Sequence, residues 1–322
     1  MRGGGHEEIR IVGTFESSRR SFLKNVALGA GSAMIGSHLL PSEAAEPPVR
    51  NGKPYMKLSL AGYSFNNVLP RRPNEAELAE AKMTLDDFIR FCADLDLDGC
   101  EPTSYYFPAN VTPEYLMHLK ELSFRLGLDI SGTAIGNDFC VPAGPEREQQ
   151  LADTREWIDH AARLGAPVIR IFAGKVPEGL SEEEALANCI EGINVSLDHA
   201  AQRGVFLALE NHGGITATAD QLLRIVEGVQ SSPWFGVNFD SGNFRTADPY
   251  AELERIAPYA VNAQVKVSIH PDGQKQPADF GRIVEILRGA NYRGYLVLEY
   301  EEAEDPFTEI PKHIDTLRSL LA

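Results

Sequence analysis

Short apolar runs alternate with longer amphipathic stretches along most of this 322-residue chain, and that rhythm limits the folds open to it. Eight apolar runs are predicted as strands, at 57–62, 98–101, 128–133, 168–172, 205–210, 236–240, 261–267 and 295–299. Each run is followed by a predicted helix, at 84–95, 112–126, 149–164, 181–203, 219–229, 248–256, 279–288 and 308–321. Strands that alternate with helices in this way build a parallel sheet, because each helix carries the chain back to the start of the next strand.

Eight strand–helix units suggest one particular closed sheet. Roughly 270 residues hold them, and about 250 residues is typical of a (β/α)8 TIM barrel. A doubly wound sheet uses the same alternation. Its dinucleotide-binding form carries G-x-G-x-x-G after the first strand, whereas here the first strand runs into Gly62-Tyr63-Ser64-Phe65. We therefore predict an α/β chain with a TIM barrel over residues 56–322, preceded by a linker at 45–55.

The first 44 residues have the composition of a targeting segment. A basic stretch, Ser-Arg-Arg-Ser-Phe-Leu-Lys at 18–24, precedes a mildly apolar stretch at 25–40, and Ser-Glu-Ala at 42–44 suits cleavage. The paired arginines resemble a twin-arginine signal. We therefore predict that residues 1–44 are a signal peptide that is cleaved, that the twin-arginine export machinery is a partner, and that the mature protein is periplasmic.

Net charge and hydropathy argue against two classes of partner, although a local basic groove stays open. The formal net charge is −16, whereas a protein that binds the nucleic-acid backbone needs a basic face. No run is long enough for a mature transmembrane helix, so we expect no stable membrane association after cleavage. The four cysteines form no C-x-x-C pair, which favours buried thiols, although an exported protein can hold a disulfide. Oligomeric state is left open.

The carboxyl ends of the predicted strands carry polar side chains. In a TIM barrel these ends converge on one mouth, where active sites lie. Read in order, the positions are Tyr63, Glu101, Asn137, Arg170, Glu210, Asp240, Gln264 and Glu299. Three carboxylates at one mouth repel each other unless a cation joins them, which predicts a divalent metal beside Glu210. The oxygen-only donors of the last four strands suit Mg²⁺ or Mn²⁺, and His212 as a further ligand would favour Zn²⁺ or Co²⁺.

Four short motifs at the ends of strands five to eight carry a family resemblance. They read LENHGG at 209–214, VNFDSGN at 237–243, QVKV at 264–267 and LVLEYE at 296–301. Together they resemble the sugar phosphate isomerase/epimerase family, the xylose-isomerase-like TIM barrels. This family includes ketose 3-epimerases, hydroxypyruvate isomerase, inosose dehydratase and the endonuclease IV type of repair enzyme.

The resemblance implies a set of metal ligands and a reaction. The family's metal is held by Glu, Asp, His or Gln, and Glu on these strands, which implies the ligands Glu210, Asp240, Gln264 and Glu299. Many members carry H-x-K-D where this chain has Gln264-Val265-Lys266-Val267, and a glutamine is a neutral, weaker ligand. The metal would polarise a substrate carbonyl, and Glu210 and Glu299 would act as general base and acid through an enediolate. Epimerisation, isomerisation and dehydration all proceed from that intermediate.

Seven further residues are candidates for substrate binding, and several have a structural alternative. His212 could instead be a structural loop histidine, and Lys266 could instead pair with the carboxylates at the mouth. Asn243 can close a Ser-Gly-Asn turn instead, and Arg170 can face outward or bridge layers inside the barrel. The full set is Tyr63, Glu101, Tyr105, Arg170, His212, Asn243 and Lys266.

Three functional classes compete. The first is a metal-dependent isomerase or epimerase, with a lyase as the alternative, acting on a carbohydrate. The second is an abasic-site endonuclease, which needs several metals and a basic DNA groove. The third is a carbohydrate-binding protein without activity, although such a protein has no need for four coordinating positions. Because sugar phosphates are mostly cytoplasmic, the predicted export favours an unphosphorylated or oxidised (keto) sugar.

Overall fold

Parallel strands form a nearly closed barrel in residues 45–322, the part of the chain that the computed structural model describes. The strands are β1 (Tyr55–Ala61), β2 (Gly99–Glu101), β3 (Asp129–Ile130), β4 (Thr133–Ala134), β5 (Val168–Ile171), β6 (Phe206–Glu210), β7 (Phe235–Asp240), β8 (Ala260–Lys266), β9 (Ser268–Ile269), β10 (Gln276–Pro277) and β11 (Arg293–Glu299). The barrel order is β3-β2-β1-β11-β8-β7-β6-β5-β4, and β9 pairs with β10 in a separate antiparallel sheet.

The two ends of this sheet belong to one strand position. β3 pairs with β2 and β4 pairs with β5, and only residues 131–132 separate the two short strands. Counted as one position, β3 and β4 complete eight, which confirms the predicted TIM barrel. The predicted third strand at 128–133 is therefore shorter than expected and is interrupted.

Helices cover the outside of the barrel. They are α1 (Glu75–Ala79), α2 (Leu85–Asp94), α3 (Pro113–Arg125), α4 (Pro145–Leu164), α5 (Glu182–Arg203), α6 (Ala219–Gly228), α7 (Pro249–Ile256), α8 (Phe280–Gly289) and α9 (Pro306–Leu321). Helices α2 and α5 begin at capping boxes, in which the Thr84 and Ser181 side chains pair with Asp87 and Glu184. The eight predicted helices agree with α2 to α9, whereas α1 was not predicted.

The strands separate apolar from polar side chains by their period of two. Leu207 and Leu209 of β6 point toward the helices and are fully buried in the apolar core. The alternate position Glu210 points into the barrel, where Ser59 and Ser131 also meet, with their hydroxyl oxygens 2.7 Å apart. The interior of this barrel is therefore polar, and it leads toward the carboxyl ends of the strands.

Several sequence expectations concern regions outside the barrel wall. The predicted signal peptide, residues 1–44, lies outside the described residues. In the predicted linker, the Arg50 guanidinium donates to the carbonyl oxygens of Pro258 and Ala260. All four cysteines are free, buried thiols. Among residues 45–322, no helix has the length and apolar character needed to cross a bilayer.

Candidate active site

Three acidic side chains gather at the carboxyl ends of β6, β7 and β11. Glu210, Asp240 and Glu299 are 3%, 0% and 7% exposed, so all three carboxylates are withdrawn from water. Burying a carboxylate is costly unless charge partners or hydrogen-bond donors compensate it. The identity of those partners therefore determines what this mouth can do.

Lys266, at the end of β8, supplies positive charge to the cluster. Its Nζ lies 2.9 Å from Glu299 Oε1, 2.7 Å from Glu301 Oε2 and 3.5 Å from Asp240 Oδ2. Burial alone would lower the pKa of Lys266, but the neighbouring carboxylates, Asp240 first, raise it well above its usual value. Lys266 is therefore an ammonium group in contact with the mouth carboxylates, which is one of the two interpretations that the sequence left open for it.

Glu210 is held by a guanidinium and two amides. Its Oε2 lies 2.9 Å from Arg170 Nε and accepts a hydrogen bond from Asn238 Nδ2 at 3.1 Å. Its Oε1 accepts from Asn243 Nδ2 at 3.0 Å. Burial raises the pKa of Glu210 to about 7, although the charge of Arg170 acts in the opposite direction. Both carboxylate oxygens are thus fixed in position.

A row of amides extends from Glu210 into the barrel. Asn238 Nδ2 also donates to Gln264 Oε1 at 2.7 Å, and Gln264 Nε2 donates to Glu101 Oε1 at 2.7 Å. Asn262 Nδ2 donates to Glu101 Oε2 at 3.1 Å and to Asn238 Oδ1 at 2.9 Å. Burial raises the pKa of Glu101 to about 7. Both ends of the Gln264 amide therefore have partners inside the protein.

Asp240 has a buried oxygen without a hydrogen bond. Its Oδ1 accepts from the Gly242 backbone N–H at 2.8 Å, and the Asn211 side chain bonds to both its backbone N–H and its carbonyl oxygen. Its Oδ2 has no hydrogen-bond partner among the described residues. A buried carboxylate oxygen of this kind fits a bound cation, because its nearest cation, Lys266 Nζ, lies 3.5 Å away and makes no hydrogen bond to it.

The donor set fits a hard divalent cation in part. The carboxylates of Glu210, Asp240 and Glu299 offer oxygen, the donor that Mg²⁺ and Mn²⁺ prefer. Gln264 Oε1 already accepts from Asn238, so its role as fourth ligand stays a prediction. Within residues 45–322, no three His, Cys, Asp or Glu side chains are arranged as a preformed metal site.

A cavity of about 170 Å³ opens beside the carboxylates. Tyr63 and Tyr105 meet edge to face in its wall, with ring centroids 6.1 Å apart. The His212 ring lies against Phe172 at 4.1 Å, and burial, followed by the charges of Arg170 and Lys266, lowers the pKa of His212 to about 4. The imidazole is therefore neutral near pH 7. The full lining is Tyr63, Arg71, Tyr105, Arg170, Phe172, His212 and Glu299.

The structure brings most of the predicted residues to this cavity and places one elsewhere. Tyr63, Tyr105, Arg170 and His212 line it, while Asn243 and Lys266 contact the carboxylates behind it. Glu101, predicted to line the sugar pocket, lies deeper inside the barrel and is fully buried. Its position follows from its two amide donors, which hold it away from the mouth.

Sequence reasoning missed other residues of the site, namely Arg71, Phe172, Asn211, Asn238, Asn262 and Glu301. A signal existed for three of them. Asn238 and Asn262 lie two residues before Asp240 and Gln264, and Glu301 lies two residues after Glu299. Positions two apart on a strand face the same side, so the alternation points both asparagines into the barrel. Nothing comparable marks Arg71, which lies on a loop.

A second, larger cavity lies on the other side of Tyr105. It measures about 220 Å³ and extends between the loop after β2 and helix α4, where Trp157 and His160 contribute to its wall. Tyr105 lines both cavities. The two cavities therefore share one wall residue.

Known proteins share this fold. L-ribulose-5-phosphate 3-epimerase UlaE from Salmonella typhimurium is 26% identical over 194 residues, which cover 56% of this chain and 68% of that protein. The crystal structure of the 3-keto-D-glucoside 4-epimerase YcjR from E. coli superposes with a TM-score of 0.63 at 17% identity, covering 82% of this chain and 99% of that one. A xylose isomerase-like TIM barrel protein from Mycobacterium smegmatis in complex with magnesium gives 0.63 at 18% identity, covering 83% and 98%.

The family comparison covers most of the described chain. The family described as xylose isomerase-like TIM barrel matches residues 89–320, which include every strand from β2 onward and all of the mouth carboxylates. The barrel closure and the strand-end motifs agree with this match. The chain therefore belongs to the xylose isomerase-like TIM barrel family.

Proposed function

We propose that this protein is a carbohydrate epimerase or isomerase that moves a proton at a carbon next to a carbonyl group. The observation that carries the proposal is the pair of buried carboxylates, Glu210 and Glu299, at the ends of β6 and β11. Glu299 lines the cavity, and Glu210 is bound to Arg170 in its wall. The epimerase activities named for its relatives support the same class of reaction.

The side chains of this protein can carry out both proton transfers. One carboxylate takes the proton from the substrate C–H. The C–H electron pair forms a double bond to the carbonyl carbon while the carbonyl π pair moves onto its oxygen, which gives the enediolate. The other carboxyl group returns a proton, to the opposite face for epimerisation or to the neighbouring carbon for isomerisation. Asn243 fixes the orientation of Glu210 by donating a hydrogen bond to its Oε1. Hydroxyl and guanidinium groups of Tyr63, Tyr105 and Arg71 are available to bind the sugar.

A divalent cation, Mg²⁺ or Mn²⁺, is part of the proposal. Glu210, Asp240 and Glu299 would hold it, with Gln264 as the predicted fourth ligand. When bound, such a cation polarises the substrate carbonyl and makes the adjacent proton more acidic. Asp240 Oδ2 supports this assignment, because it is buried, accepts no hydrogen bond among the described residues and has its nearest positive charge, Lys266 Nζ, 3.5 Å away.

We also propose that the substrate is an unphosphorylated sugar or keto sugar and that the enzyme acts in the periplasm. The twin-arginine-like sequence at 18–24 supports export, and sugar phosphates are mostly cytoplasmic. The guanidinium of Arg170 is already paired with Glu210, which leaves Arg71 as the guanidinium of the cavity wall for a substrate group. Arginines bind phosphate as well as sugar hydroxyls, so the choice of an unphosphorylated substrate depends on the predicted export.

The test is a substrate screen with matched variants. Ketohexoses, 3-keto glycosides and their phosphorylated counterparts are incubated with the protein and MnCl₂, and products are identified by NMR. We expect a new epimer or isomer from an unphosphorylated substrate. We expect no product from Glu210→Gln and normal turnover from Glu227→Gln, a control on the exposed side of α6. Loss of water would indicate a dehydratase, and turnover of phosphorylated sugars alone would refute the proposed substrate class.

A further inference from the structure

The ammonium group of Lys266 lies where the carboxylates would otherwise face one another. It contacts Glu299 and Glu301 within hydrogen-bond distance and lies 3.5 Å from the oxygen of Asp240 that has no hydrogen-bond partner. Lys266 is only 7% exposed, so water does little to screen these contacts. The positive charge of Lys266 therefore lies beside two of the proposed metal ligands, Asp240 and Glu299.

The surrounding backbone is shaped for this lysine. A Cβ added to Gly242 would lie 2.7 Å from Lys266 Cδ and 2.9 Å from Lys266 Cβ, so the lysine stem runs directly across the glycine. The Lys266 backbone N–H also donates to Ser241 Oγ at 2.8 Å. The same loop therefore fixes both the backbone and the stem of Lys266. These contacts direct Nζ into the carboxylate cluster.

A divalent cation and this ammonium need the same electron pairs. Glu299 Oε1 already accepts from Nζ, and two positive charges a few ångströms apart repel each other in a poorly screened site. Glu301 offers a second position, because its side chain is 37% exposed and lies on the outer side of the cluster. We propose that Lys266 is an internal cation that competes with the divalent metal for Asp240 and Glu299 and moves toward Glu301 when the metal binds.

This inference rests on the metal assigned in the proposed function and adds a consequence for affinity. In the metal-free protein Lys266 compensates the carboxylates and keeps the mouth folded. Metal binding must then break the contact between Lys266 Nζ and Glu299 Oε1, so the measured affinity is lower than the carboxylates alone would give. The site is occupied only when the cation is plentiful.

Calorimetric titration of the purified protein with MnCl₂ tests the competition. We expect Lys266→Met to bind Mn²⁺ at least about tenfold more tightly than the wild type, since tenfold corresponds to only about 1.4 kcal/mol of removed repulsion. Lys275→Met is the matched control, because Lys275 pairs with Glu302 at the surface, and it should bind like the wild type. Equal or weaker binding by Lys266→Met, or no binding by either protein, overturns the proposal.

A second measurement uses the wild type alone, in case Lys266→Met does not fold. In crystals of the wild-type protein soaked with MnCl₂, we expect Lys266 Nζ to leave Glu299 and to keep its contact with Glu301. The proposal is overturned if an ion binds Asp240 and Glu299 while Lys266 Nζ stays hydrogen-bonded to Glu299. It is also overturned if no ion appears in the crystals and Lys266→Met binds none in solution. Neither result depends on sugar turnover, so failure here is distinct from failure of the proposed function.

Discussion

Replacement of Arg170 by methionine should expose how strongly the barrel interior depends on charge pairing. Arg170 is 6% exposed, contacts Glu210 at 2.9 Å, donates to the Ile135 carbonyl oxygen at 2.8 Å and lies over the Phe172 ring at 3.8 Å. Methionine has a similar apolar stem but no charge. The substitution therefore leaves the buried Glu210 carboxylate without a cationic partner.

The expected cost follows from what remains unpaired. Removing one member of a buried ion pair typically destabilises a protein by about 3–5 kcal/mol. We expect Arg170→Met to lower the free energy of unfolding by about 4 kcal/mol, and Glu210→Gln to cost about 3 kcal/mol because Arg170 is then the unpaired group. The double variant should cost about 2–4 kcal/mol less than the sum of the two, because it leaves neither charge alone.

Urea unfolding at pH 8, followed by circular dichroism, measures the wild type, both single variants and the double variant. At this pH Glu210, with a pKa of about 7, is mostly ionised. The exposed pair Arg224 and Glu183, 2.7 Å apart at the protein surface, is the matched control and should give a coupling of about 0–1 kcal/mol. If Arg170 and Glu210 show a coupling as small as the control pair, the two side chains do not depend on each other. The electrostatic account of the site would then be wrong.

Three further predictions concern the interior, a tight loop and the metal. Burial raises the pKa of Glu101 from 4.5 to about 7, so the folded state binds this proton more tightly and the wild type loses stability as pH rises through this range. In urea unfolding, the free energy of unfolding of Glu101→Gln relative to the wild type should therefore rise by about 3 kcal/mol between pH 4.5 and pH 8. A difference that does not change with pH would refute this. Gly214→Ala places a Cβ 2.3 Å from the Gly174 carbonyl oxygen and should lower stability by about 1–3 kcal/mol in thermal unfolding. The control Gly127→Ala, whose added Cβ meets nothing within 4 Å, should cost less, and equal costs would contradict the steric argument. Asp240→Ala should abolish Mn²⁺ binding in calorimetry, and retained affinity would remove Asp240 from the ligand set.

The periodic elements were accessible from the sequence because their physical causes are local. Strand β6 follows from its apolar run and helix α5 from its capping serine, and both lie within a residue of the predicted bounds. Helix α1 was missed because it is short and none of its residues is buried, so it leaves no apolar period to read. The break between β3 and β4 was missed because each piece has two residues, which is too short for alternation to show.

The site was predictable only as far as strand ends determine it. Glu210, Asp240 and Glu299 meet because parallel strands of a barrel direct their carboxyl ends to one mouth. The partners of Gln264 and Lys266 depend on side chains from other strands, and a flexible lysine stem can reach several of them. The sequence therefore predicted that these three carboxylates share the mouth, and it left open which oxygen accepts which hydrogen bond.

The incorporation of solvent deuterium into substrate tests the proposed chemistry most directly. The sugar converted in the screen is incubated in D₂O with wild type, Glu210→Gln, Glu299→Gln and the control Glu227→Gln, and NMR follows the proton next to the carbonyl. The account predicts exchange at that carbon in the wild type and control and a loss of about 100-fold or more in each site variant. Product formed without deuterium, or undiminished exchange in both site variants, would contradict it.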